Sequence, residues 1–205
     1  MLDARLRPLI DPPLDRLAAR LAARGLRADT VTVMGFGIGL LAMAAIARGL
    51  YGLGLALILL NRAMDGLDGA LARRLGPTDL GGFLDIVCDF IVYSGLVFAF
   101  ALADPGRNAL PAAFLILAFV GTGSSFLAFA IMAAKRGLST ERRGKKSLYY
   151  LGGLTEGTET IAMLVLACLF PELFLALAVV FGVLCWLTTG ARVASAYGAL
   201  RHTND

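Results

Sequence analysis

The chain has 205 residues, 58% of them hydrophobic and only 17% charged, with a net charge of +4 and a mean hydropathy of +0.76. Soluble domains average about a quarter charged and under half apolar, so a water-soluble globular fold is excluded. Long apolar blocks, rather than alternating strands of about ten residues, argue against a membrane barrel and for an all-α integral membrane protein, because helices satisfy their backbone groups internally.

In chain order, Leu2–Leu26 reads as an amphipathic interfacial helix, with Pro12 and Pro13 placed in a first turn. Arg16, Arg20 and Arg24 recur every four residues, and Leu14, Leu17 and Leu21 line another face, the pattern of a helix lying on an anionic leaflet. Six arginines precede any apolar run, so this is not a cleavable signal. Six transmembrane helices are then expected, near Val31–Ala47, Gly52–Leu75, Gly81–Ala103, Ala109–Ala134, Leu151–Phe170 and Leu173–Leu200. The whole, residues 1–205, reads as one transmembrane domain, with residues 1–27 juxtamembrane and residues 31–200 forming the six-helix bundle. Cys88, Cys168 and Cys185 lie in apolar runs without a CxxC pair, and His202 is the only histidine. Zinc, a disulfide framework and imidazole catalysis are therefore not expected.

With six spans, 17 of the 19 Lys and Arg residues fall on one side, and only Arg48 and Arg107 on the other. The positive-inside rule then makes both termini cytoplasmic. On that topology Asp65, Asp68, Asp85, Asp89, Glu156, Glu159 and Arg192 converge at one depth, near the cytoplasmic interface. A carboxylate in hydrocarbon is costly, so four within 25 residues call for a neutralising cation. Asp65 and Asp68 are three apart and Asp85 and Asp89 four apart, which puts each pair on one helix face. Their hard oxygens suit Mg²⁺, Mn²⁺ or Ca²⁺. Gly66, Gly69, Gly81 and Gly82 leave room beside the acids, and Arg73, a turn beyond Gly69, is placed to clamp a phosphate. Metal, glycine and arginine together describe a pyrophosphate site.

The run Asp65-x2-Asp68-Gly69-x2-Ala72-Arg73, then Gly81-x3-Asp85-x3-Asp89, resembles the signature of the CDP-alcohol phosphatidyltransferase family, and is closest to a bacterial inner-membrane subgroup of it. Seven residues separate Arg73 from Gly81, one fewer than the usual pattern, a difference expected to shift the turn rather than the ligands. The resemblance implies phospholipid synthesis: metal-dependent transfer of a phosphatidyl group from CDP-diacylglycerol to an alcohol, releasing CMP. It implies that Asp65, Asp68 and Asp85 hold one or two Mg²⁺ or Mn²⁺ ions. Asp89 would be general base and touch a second metal. Gly69, Ala72 and Gly81 would line the CDP pocket and Arg73 would contact its phosphates. It also implies a homodimer in the bacterial inner membrane, with a cytoplasmic active site. No nucleic-acid partner is expected.

The acceptor is left open between a phosphorylated alcohol such as glycerol phosphate and another polar alcohol. Lys135, Arg143, Lys146 and Arg192 would suit a phosphate, while Glu156 and Glu159 would suit a polyol or amine. The small polar patch at Gly121–Ser125 fits substrate binding or close helix packing equally. Two other classes of function compete: a cation transporter using intramembrane carboxylates, and a metal- or lipid-binding membrane protein without turnover.

Overall fold

The computed structural model describes residues 3–136 and 155–201, and among them there is no strand. The described helices are α1 (Asp3–Ala22), α2 (Ala28–Ala47), α3 (Tyr51–Leu75), α4 (Asp79–Ala103), α5 (Pro105–Lys135), α6 (Gly157–Leu169) and α7 (Phe174–Arg201), with a 3₁₀ turn at Pro171–Leu173. Among the described residues, four stretches are long and apolar enough to cross a membrane: Ala28–Ala47, Asp79–Ala103, Pro105–Lys135 and Pro171–Leu200. Two of the six expected spans fall outside that count. The apolar run of α3 ends at Leu60, where Arg62, Asp65 and Asp68 follow. Helix α6 is apolar but has only 13 residues, and the start of its expected span, residues 151–154, lies outside the described residues.

Small residues set how closely the helices approach. On α2, a Cβ at Gly39 would lie 2.7 Å from Cγ2 of Val92 on α4, and one at Gly35 would lie 3.2 Å from Cβ of Met64 on α3. The first span is thereby wedged against both acid-bearing helices. These two are joined by a tight turn, because α3 stops at Leu75 and α4 starts at Asp79. Gly76 has φ +98, a conformation that side chains with a Cβ rarely adopt, and its N–H donates to the Ala72 carbonyl at 3.0 Å. Thr78 then caps α4, its hydroxyl accepting from the Gly81 N–H at 2.9 Å. The turn is shorter than the Gly76–Gly82 stretch expected, because Asp79–Gly82 already belongs to α4.

Helix α1 differs from its expectation in two ways. It ends at Ala22 and runs through Pro12 and Pro13, which lie inside it rather than in a first turn. Its apolar face also divides. Ala18 is 1% exposed and packs with Leu14 and Leu21 against Leu67, Ala70 and Leu71 of α3, while Leu17 is 43% exposed. Leu14 sits so close to Gly66 that a Cβ there would lie 2.7 Å from its Cδ1.

The far part of the bundle is an aromatic core. Phe100 stacks on Tyr51 and Phe174, with ring centroids 5.7 and 4.6 Å away. Helices α5 and α7 interlock through glycine: Trp186 packs on Gly121 and Phe114 on Gly182, while Phe90 of α4 packs on Gly123. The hydroxyls of Thr122, Ser124 and Ser125 all donate to carbonyls three residues back in α5. The polar patch in this helix is thus accounted for by close packing and intrahelical bonding.

Candidate active site

The i,i+3 spacing on α3 and the start of α4 after a three-residue turn bring Asp65, Asp68 and Asp85 together. One carboxylate oxygen from each lies within 4.8 Å of the others. Like charges this close repel strongly where water is scarce, and Asp68 is only 6% exposed. Hard, anionic oxygen donors from three side chains fit Mg²⁺ or Mn²⁺, which take one or more carboxylates and keep positions for water or phosphate oxygens. Thr32, from the second turn of α2, donates its hydroxyl to Oδ2 of Asp68 at 2.7 Å. That bond orients the carboxylate, as an outer partner would if Asp68 held an ion.

Asp89 lines the same site but is held differently. Arg62 Nη2 donates to Oδ1 of Asp89 at 2.8 Å, and the Tyr93 hydroxyl donates to Oδ2 at 3.4 Å. The other terminal nitrogen of Arg62 lies 3.5 Å from Oδ2 of Asp65 and donates to the Tyr93 hydroxyl at 2.8 Å. Nε and Nη2 both donate to Oδ1 of Asn61, at 2.9 and 2.6 Å, and Asn61 in turn donates to the Gly35 carbonyl at 2.8 Å. This network was not foreseen from sequence. Arg62 counted there only as a charge on the positive side, although an Asn-Arg pair one turn before Asp65 in an apolar helix was the available signal.

Two clefts open from the acids. One, of about 620 Å³, is lined by Asp29, Thr32, Asp68, Gly69, Ala72, Thr78, Gly81 and Asp85, so it gathers Gly69, Ala72 and Gly81 of the expected CDP contacts. At Gly81 a Cβ would lie 2.9 Å from the Thr78 hydroxyl and 3.0 Å from Oδ1 of Asp29, so any larger residue would crowd these two side chains. The other, of about 480 Å³, runs between α1, α3, α4 and α6 past Asp11, Leu14, Arg62, Gly66, Arg73, Asp89, Tyr93 and Thr158. Arg73 lines it while pairing with Asp15 at 3.4 Å and Asp11 at 3.9 Å, so α1 supplies counter-charges to the expected phosphate clamp.

Of the expected acceptor residues, Lys135, Glu156, Glu159 and Arg192 fall within the described residues. Lys135 is exposed on the last turn of α5. Arg143 and Lys146 lie outside the described residues. Glu156 and Glu159 form the capping box of α6, the Glu159 carboxylate accepting from the Glu156 N–H at 3.1 Å. Arg192 is 8% exposed; its Nη1 donates to the Thr122 carbonyl at 3.0 Å and its guanidinium lies 5.6 Å from the Phe126 ring centre. Of the α6 start, Gly157 and Thr158 face the cleft.

Comparison with known proteins places this geometry. The chain is 53% identical to the inner membrane protein YnjF of Escherichia coli over 201 residues, 98% of each chain. It is 30% identical to the archaetidylinositol phosphate synthase of Pyrococcus horikoshii, covering 94% of this chain and 95% of that one. Its fold matches Mycobacterium tuberculosis phosphatidylinositol phosphate synthase with CDP-DAG bound, at TM-score 0.67 and 21% identity, over 90% of this chain and 93% of that one. The same enzyme in complex with manganese and citrate matches at TM-score 0.70 and 22% identity, over 90% and 88%. The profile of the CDP-alcohol phosphatidyltransferases matches residues 26–193, and the chain belongs to that family.

Proposed function

We propose that the chain transfers a phosphatidyl group from CDP-diacylglycerol to the hydroxyl of a polar alcohol and releases CMP. The observation that carries this is the convergence of Asp65, Asp68 and Asp85 within 4.8 Å beside the cleft walled by Gly69, Ala72 and Gly81. Asp65, Asp68 and Asp85 would hold the divalent ion, which neutralises charge developing on the phosphoryl oxygens. The cleft past Gly69, Ala72 and Gly81 takes the cytidine side, and Arg73 exchanges Asp11 and Asp15 for phosphate oxygens. Asp89 accepts the acceptor hydroxyl's proton on Oδ2, its Oδ1 being occupied by Arg62. The hydroxyl oxygen bonds to the lipid-side phosphorus as the bond from that phosphorus to the bridging oxygen breaks. CMP leaves with the electron pair.

The topology proposed with this reaction counts α3 and α6 as the two further spans. Helix α3 has 25 residues, about 37 Å at the helical rise, enough to cross with its acids near one face. The 17-to-2 distribution of basic residues then puts both termini and the acids on the cytoplasmic side of the inner membrane. The exposed Arg16 and Arg20 of α1, and Arg24 in the turn after it, would meet the anionic leaflet. A homodimer completes the proposal, by analogy with the family.

The names of the relatives from Pyrococcus horikoshii and Mycobacterium tuberculosis favour a phosphorylated polyol acceptor and put inositol phosphate first among the candidates. The test is incubation of the purified chain with labelled CDP-diacylglycerol, Mn²⁺ or Mg²⁺, and a panel of inositol phosphate, glycerol phosphate, inositol, glycerol and serine. CMP formed with one acceptor identifies the substrate. No CMP with any of them, together with ion flux in proteoliposomes, would replace this reading with that of a transporter.

A further inference from the structure

We propose that Arg62 is a built-in second cation of this centre, so that the site takes one divalent ion rather than two. The inference rests on the reading of Asp65, Asp68 and Asp85 as ion ligands, and concerns the charge that remains. A single divalent ion leaves four carboxylates undercompensated, and Asp89 is the acid outside the close triad. The guanidinium of Arg62 occupies the space between Asp89 and Asp65: Nη2 is 2.8 Å from Asp89 Oδ1 and Nη1 is 3.5 Å from Asp65 Oδ2. A second ion bridging these two acids would have to take the place of that guanidinium.

Arg62 is built in rather than passing through. Its side chain is 16% exposed. Asn61 clips it through two donors, Nε and Nη2, onto one amide oxygen. Asn61 is itself buried and anchored on the Gly35 carbonyl, so α2 and α3 together fix the guanidinium plane. Tyr93 on α4 accepts from Nη1 and places its ring 5.1 Å from the guanidinium carbon, a favourable cation–π distance. A guanidinium keeps its charge at any working pH and spans two carboxylates with a fixed fork. It therefore supplies positive charge that does not depend on the metal concentration, and it leaves on Asp89 Oδ2 only the long 3.4 Å contact from the Tyr93 hydroxyl, which an acceptor hydroxyl would displace. Arg62 acts through Asp65 and Asp89 and is a positioning residue.

The full-length chain, purified into nanodiscs of uncharged lipid, is titrated with Mn²⁺ and the bound ion is counted and observed by electron paramagnetic resonance. The wild type is expected to hold one tight Mn²⁺ per chain with the six-line signal of an isolated ion. Arg62→Gln, which removes the charge and leaves Asp65 and Asp89 facing each other, is expected to bind a second Mn²⁺ and show a spin-coupled spectrum. Arg62→Lys is expected to hold one ion. Two coupled ions in the wild type, or one ion in Arg62→Gln, overturns the inference while leaving the acid triad as a metal site. No tight Mn²⁺ in the wild type overturns the metal-site reading and this inference with it.

Discussion

Thr32→Val tests the site through the hydroxyl that holds the Asp68 carboxylate. Valine keeps the shape of the side chain and removes one hydroxyl, whose single proton goes to the shorter of two contacts: Asp68 Oδ2 at 2.7 Å rather than the Ala28 carbonyl at 3.2 Å. Hydrogen bonds between side chains in membranes average only about 0.6 kcal/mol, but one to a charged acceptor contributes about 1.5–3 kcal/mol. Here the acceptor is a buried carboxylate, so the larger figure applies. Loss of an outer-shell partner typically lowers metal affinity about 10–100-fold, or about 1.4–2.7 kcal/mol, and the two ranges overlap. The expected outcome is a rise of about 10-fold or more in the Mn²⁺ concentration that half-saturates CMP release, with kcat at saturating Mn²⁺ within about twofold of wild type. An unchanged Mn²⁺ dependence would show that Asp68 is not an ion ligand oriented by Thr32. A kcat that saturating metal does not restore would place Thr32 in the chemistry instead.

Asp89→Asn removes the proposed base and is expected to lower kcat by about 10²-fold or more, with CDP-diacylglycerol binding still measurable by calorimetry; wild-type turnover would refute the assignment. Asp68→Asn removes a proposed ligand outright, so its Mn²⁺ half-saturation in the CMP assay should rise at least as far as that of Thr32→Val. Gly39→Ala forces a methyl to 2.7 Å from Val92 Cγ2, and overpacking of this kind costs about 1–3 kcal/mol. Its thermal midpoint in nanodiscs should fall, and Val92→Ala in the same chain should restore it; a midpoint unchanged by Gly39→Ala would mean that α2 and α4 do not pack as tightly as described.

What sequence conveyed about this site, and what it left out, divides along a physical line. Helical spacing within α3 and within α4 is local, so the common face of Asp65 and Asp68 and that of Asp85 and Asp89 were legible from residue number alone. Contacts between helices distant in sequence were not. Thr32 meets Asp68 across 36 positions and Asn61 meets Gly35 across 26, and no periodicity predicts such pairings. Arg62 was hidden for another reason: the positive-inside rule absorbs any basic residue near the cytoplasmic face, and Asn61 showed its anchoring role only once Gly35 stood beside it. Helix α3 looked like a span by length, yet its charges keep it out of any composition-based count. The Gly121–Ser125 patch could be read two ways because glycine and serine serve both ligands and packing; Trp186 and Phe90 fill the space above the two glycines, which favours packing.

The groove at Gly35 and Gly39 has a consequence for anyone who would transplant this centre into another scaffold. The acids all come from one hairpin, α3 and α4, but Thr32 and the Gly35 carbonyl that restrain Asp68 and Asn61 come from α2. A grafted hairpin would carry the donor atoms without their outer restraints. The smallest portable unit is therefore three helices, and the glycine-lined first span is as much a part of it as the aspartates.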